Sequence, residues 1–433
     1  MKEVEKMIPE NISDLGMIDE DSGLRQFRGM MSPWDKIKSF KETYLFLTRH
    51  AGLYGVCYIN ALKIIEPDYE KRTSAMSECW GQSIKYMWSP ESGLNMKENF
   101  REKQSIPPFI KDGIYFSACF ADQGDEFMAM PGYIWYATND YVEKEIHHCP
   151  FDIIGPEACD VSIGGAQNFT QCACGVPMKN YESERMGCGD PYCHVIFDTE
   201  RKYGKHPNAD GHDWEKWGPA PQGMREKGAP RKEECEFLTT GEYMSPLGQR
   251  WTVGEMYKEC VGWPLAYSTN AVQAMRVLVK PEDMERAYQI VDVIFDTAGK
   301  SLFGDTNLRK EAREWMGVPE SVDDGRVLGG YISMIYQARC LDWRFVEFSE
   351  ERTVIECDRF GLEMMGQHPE FVRAYEAYFN GMAKTLVNCQ WVVKEDKTAP
   401  KDRVRFNIEK GLYGFRRQKP GYQFEKEGEK NDQ

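Results

Sequence analysis

The stretch VIFDTERKYG, residues 195–204, returns later in the chain as VRFNIEKGLYG, residues 404–414. Outward from this pair, EKEIHHCPF ending at Phe151 is matched by ERTVIECDRF ending at Phe360, and GIYFSACF from Gly113 by GGYISMIY from Gly329. Further upstream, Gly52, Asn60, Ala61 and Pro67 correspond to Gly262, Asn270, Ala271 and Pro281. The offset stays between 208 and 217 residues and the order of segments never changes. Such self-similarity predicts an α+β fold made of two tandem copies of one unit, helices first and an antiparallel sheet after. The chain then divides into an N-terminal arm (1–33), a first repeat (34–204), a loop or lid (205–235), a second, degenerate repeat (236–415) and a charged tail (416–433).

Local patterns fill in the unit. Leu45, Phe46, Leu53, Val56, Leu62 and Ile65 recur at three- and four-residue spacing, which predicts a helix, and Pro67 starts another. Gly113–Phe120, Tyr133–Thr138 and Val142–Cys149 read as strands, with turn residues Asp122, Gly124, Pro131 and Asn139 between them. A short helix is expected to carry Glu157, Cys159 and Asp160, and Val195–Asp198 closes the unit as a strand. The run from 205 to 230, with HPNADGHDWEKWGPAPQG inside it, is too rich in Gly, Pro and Asp for regular structure, and its length suits a lid.

Composition limits what the chain can do. The 433 residues carry a formal charge of −15, which speaks against nucleic-acid binding through a basic face. No apolar run has the length of a membrane span, and Met1–Asp14 lacks the pattern of a signal peptide. A cytoplasmic location is therefore expected, with the 14 cysteines free or metal-bound. Oligomeric state is left open, a homo-oligomer included. The partner expected is a small molecule.

Just before the repeated strand lies QCACGVPMKNYESERMGCGDPYCH, residues 171–194, which holds Cys172, Cys174, Cys188 and Cys193 with Glu182 among them. Thiolates a residue or two apart on a turn, facing a second pair, suit a soft or borderline cation: zinc first, an iron–sulfur cluster second. Free thiols are the plain alternative. The second repeat has Cys357 where the first has Cys149, and Asp402 and its neighbours where Cys188 and Cys193 stand, so the metal site belongs to the first copy only.

GCGDPYCHVIF, preceded by Glu182 and by cysteines upstream, resembles the C-terminal signature of the 4-vinyl reductase domain family and is similar to proteins of the L-2-amino-thiazoline-4-carboxylate hydrolase-like group, with CPFDIIGPEACD (149–160) as the earlier part. The likeness covers 113–204 well and the second copy faintly. It implies a structural zinc beside an apolar ligand pocket, with Cys193, Glu182 and Cys172 or Cys174 as ligands. The middle cysteine departs from the pattern: Arg185 stands in its place, with Cys188 three residues on.

Two functions follow. As an enzyme, the chain would hydrolyse or open a small cyclic compound, with Cys149 or Cys159 as nucleophile, His147 or His148 as base, and Glu157 or Asp160 as acid or orienting carboxylate. The plain alternatives are buried apolar cysteines and a helix-surface role for the carboxylates. As a binding or sensor protein, it would hold an aromatic ligand against Tyr115, Phe116, Tyr133, Trp135 and Tyr136. An iron–sulfur redox protein ranks third.

Overall fold

A computed structural model describes residues 30–87, 114–137, 140–174, 178–199, 227–241, 243–244, 250–251, 257, 260–364 and 366–411. The arm up to 29, residues 200–226, with the four His and Asp of that loop, and the tail from 412 lie outside them.

Two units of one design account for most of the described chain. In the first, helices α1 (Phe40–Ile65) and α2 (Tyr69–Met87) precede α3 (Ile114–Phe127), the hairpin β1 (Gly132–Ala137) and β2 (Tyr141–Ile146), helix α4 (Pro156–Cys174), and strands β3 (Lys179–Glu184) and β4 (Cys193–Asp198). A one-turn helix α5 (Phe237–Thr240) and the two-residue strands β5 (Tyr243–Met244) and β6 (Arg250–Trp251) lead to the second unit. There α6 (Ala266–Leu278), α7 (Met284–Leu302) and α8 (Thr306–Met316) precede α9 (Gly325–Ala338), β7 (Trp343–Phe348), β8 (Arg352–Asp358), the one-turn α10 (Arg359–Leu362), α11 (Glu370–Met382), β9 (Trp391–Glu395) and β10 (Arg403–Lys410). The sheets are antiparallel and share one topology, β1-β2-β4-β3 and β7-β8-β10-β9.

Both sheets keep the alternation that sorts residues to two faces. On β10, Val404, Phe406 and Ile408 are buried while their neighbours are not, and each such side chain contributes about 1.5–3 kcal/mol of burial. A one-residue slip would expose all three. In each unit a helix lies behind the hairpin, α3 behind β1 and β2 and α9 behind β7 and β8. No described helix is long and apolar enough to cross a membrane.

The expected strand over 113–120 is a correction: from Ile114 the chain is helix α3, and Asp122 and Gly124, read as turn residues, lie inside it. A short apolar run has no period that separates strand from buried helix, and only its continuation to Phe127 marks it as helix. Its match, Gly329–Tyr336, is helical as well, in α9. The CxC expected on a turn is likewise the helical end of α4.

The units are interleaved through their first helices. Helix α1 packs on α7 and α9 of the second unit, and α6 packs on α2 of the first, with α1 and α6 crossing between them. Gly55 makes that crossing close, since a Cβ there would stand 2.9 Å from Cβ of Tyr267. Helix α1 starts cleanly, with a capping box between Ser39 and Glu42. The described end of the arm also packs on the second unit: the Met31 backbone exchanges two 2.9 Å hydrogen bonds with the Gln337 amide.

Candidate functional site

The inward face of β4, the first turns of α4 and strand β3 meet at a cluster of thiols and a carboxyl. Alternation turns Cys193 inward beside Val195 and Phe197, and Cys159 is buried on α4. The Cys159 and Cys193 thiols lie close enough to shift each other's titration, and Glu182 is a similar neighbour of Cys159. The Met186 N–H donates to Cys193 Sγ at 3.3 Å. The 186–188 turn can close over this pair because residue 187 is glycine: a Cβ there would lie 2.9 Å from Cys159 Sγ and 2.6 Å from the Gly155 carbonyl oxygen.

Among the described residues, Arg185 is the positive group that approaches this cluster, and it does so loosely. Hydrogen bonding from Cys193 draws the Cys159 thiol down to about 7, and the same bond, with burial, raises Cys193. Burial, then the charge of Cys159, pushes the Glu182 carboxyl up to about 9. Its Oε2 is buried without a hydrogen-bond partner, and Arg185 Nε stands 3.8 Å away while its Nη1 bonds Asp160 at 2.7 Å. An uncompensated buried carboxyl of this kind is costly unless something neutralises it.

The second unit solves the same problem with an arginine. Strand register places Val404 where the first unit has Cys193, and Glu395 where it has Glu182. Glu395 keeps the carboxylate but is paired with Arg359 Nη2 at 2.9 Å. Register also corrects the sequence match: Cys357 stands at the place of Ile146, since the two face Val404 and Cys193 across the strands.

Of the remaining residues expected at a metal site, only the Cys188 side chain is described. Cys188 is exposed, and Cys172 and Cys174 fall on the last turn of α4 with their side chains outside the described residues. Glu182, Cys159 and Cys193 touch one after the other, and among the described residues no three His, Cys, Asp or Glu side chains stand arranged to hold a metal ion. The described cysteines are free thiols.

The expected catalytic group does not assemble either. Glu157 is buried in a two-pronged ion pair with Arg72, at 2.7 and 3.1 Å, with Lys63 Nζ at 3.8 Å, which makes it a strut between α4 and α2. Asp160 is held by Arg185 and the Tyr69 hydroxyl. Burial pushes the Cys149 thiol well above the nucleophilic range. The adjacent histidines part as a strand end requires: His147 is buried, bonded to Glu145 at 3.3 Å and to the Lys232 N–H at 2.7 Å, and His148 is exposed.

His148 opens onto a cleft of about 430 Å³. Its walls are the outer face of α1 with Leu45, Leu53 and Val56, the turn after α3 with Met128, the segment 148–153, and Leu302 from the second unit. Arg49 lines it as well, and neither Arg49 nor His148 has a hydrogen-bond or ion-pair partner among the described residues. This volume lies in the range of small-molecule pockets, apolar with few polar groups. The strand aromatics expected to line a pocket do not reach it: Tyr133 bonds Glu145 at 3.2 Å and the Ala229 carbonyl at 3.3 Å, and Trp135 and Tyr136 pack on each other. The side chains of Tyr115 and Phe116 lie outside the described residues. Sequence reasoning passed over Arg49 because one arginine on an amphipathic helix reads as a solvated surface residue.

Against known proteins, the chain matches no family model, no curated protein and no solved structure.

Proposed function

We propose that the chain is a small-molecule-binding protein: an apolar ligand sits in the cleft beneath α1, and a zinc ion held by the thiol–carboxyl cluster braces the first unit next to it. The cleft carries this reading, because it is a cavity of about 430 Å³ whose described walls are apolar apart from two unpartnered basic groups and Thr48. The zinc is supported by the donor chemistry, two thiols and a buried carboxyl with an orphaned oxygen, and by the contrast with Glu395, which Arg359 meets at 2.9 Å where Glu182 has Arg185 only at 3.8 Å. Cys159 joins Glu182 and Cys193 as a ligand in this reading, with Cys172, Cys174 or Cys188 left to complete the set. When bound, the metal ties α4 to β3 and β4; the protein's own residues then keep the 149–155 segment, one wall of the cleft, in place. This agrees with the resemblance to the 4-vinyl reductase domain family, with a duplicated origin of the two units, and with a reducing, cytoplasmic setting.

Hydrolysis of a small cyclic compound is the second reading. It draws on the lowered thiol of Cys159 with Arg185 beside it, and it requires a substrate route to a residue that is 8% exposed.

Titration with the neutral apolar dye N-phenyl-1-naphthylamine tests the binding reading. Saturable emission at one dye per chain is expected, abolished by Leu53→Trp, which adds bulk to a side chain that lines the cleft. Non-saturable emission in both proteins would overturn it.

A further inference from the structure

The cleft has a polarity that its apolar walls do not explain. Among the described residues no carboxylate lines it, and the two ionisable groups that do, Arg49 on α1 and His148 after β2, are both basic. They come from different elements of a chain whose formal charge is −15, so a basic pair in one cleft is against the trend of the molecule. Acids are plentiful elsewhere: Arg72, Arg185, Arg276, Arg326, Arg359 and Arg373 each have a carboxylate within ion-pair distance. Arg49 has none among the described residues, and its only described electrostatic neighbours are His50, Tyr331 and Tyr378. An arginine set in apolar surroundings with its guanidinium unspent is suited to a planar anion, which it can meet with two parallel N–H donors.

We infer that the ligand of this cleft is a monocarboxylate with an apolar body, its carboxylate held between Arg49 and His148 and its body laid along Leu53, Val56 and Leu302. This rests on the binding reading above and adds the ligand's charge and orientation. The apolar wall favours a single anionic head over a polyanion, because a second charge would be buried against leucine and valine without a partner.

Displacement of bound N-phenyl-1-naphthylamine by matched pairs, octanoate against octanamide and 2-naphthoate against 2-naphthamide, tests the inference. At least one acid is expected to displace the dye at a tenfold or lower concentration than its amide. Arg49→Gln, an exposed position, should cut that acid-over-amide preference to twofold or less. Acids and amides of equal potency, with the dye still bound, would overturn the carboxylate assignment and leave the cleft standing. Failure of the dye and all four compounds to bind would overturn the binding reading and this inference together.

Discussion

Ala129 and Cys340 hold the same backbone place in the two units, both left-handed, with φ of 57° and 55°. Each sits in the turn after its helix, just before a residue whose N–H returns to a helical carbonyl, Met130 to Asp125 at 2.8 Å and Leu341 to Tyr336 at 3.0 Å. The spacing of 211 (129 to 340) recurs at the hairpin bulges, Ile134/Tyr136 and Phe345/Glu347. A left-handed residue with a Cβ costs about 1–2 kcal/mol, of which glycine's lost chain entropy returns roughly half. Ala129→Gly is therefore expected to stabilise the protein by about 0.5–1 kcal/mol in urea unfolding. A loss of stability would mean that the turn is not left-handed in solution.

Lys144 is fully buried on the helix-facing side of β2, ion-paired with Asp125 and 3.6 Å from Asp122, both on α3. The second unit has Ile355, Tyr336 and Ser333 at these places. Lys144→Ile alone leaves two buried carboxyls without their cation and is expected to cost about 3–5 kcal/mol. Adding Asp122→Ser and Asp125→Tyr, the second unit's solution, should recover most of it. A triple variant as unstable as the single one would show that the triad is not exchangeable for apolar packing.

The likeness of the two units was legible in the sequence because both carry turns and alternating strands in the same order. Its exact register was not: VRFNIEKGLYG matches VIFDTERKYG at a spacing of 209 (195 to 404), two less than the strand pairing, and an even slip keeps every residue on its own face. Interleaving of α1 and α6 left no local mark, since a helix buried against its own unit and one buried against the other carry the same periodicity. At the site, Glu182 and Cys193 were found by spacing, while Cys159 was read as a nucleophile because its distance from β4 is set only by how α4 crosses the sheet.

His50 lies buried between the hydroxyls of Tyr331, at 2.9 Å, and Tyr378, at 3.1 Å. Burial, with some help from Arg49, lowers its folded-state pKa from 6.5 to about 3. Between those values the unfolded chain binds a proton that the folded chain refuses, so stability falls as the pH drops from 6.5 toward 3, at up to about 1.4 kcal/mol per pH unit. His368, lowered to about 4 mainly by burial, adds to the same slope. His50→Gln should flatten the acid limb of a stability–pH curve by up to one proton. An unchanged slope would place the imidazole in water.

Zinc content bears most directly on the bracing of the first unit. Elemental analysis would be run on protein purified without oxygen, as wild type, Cys159→Ser, Cys193→Ser and Cys357→Ser. One zinc per chain is expected in the wild type and in Cys357→Ser, and none in the other two. Folded wild-type protein that carries no zinc, or that carries iron with sulfide, would contradict the account.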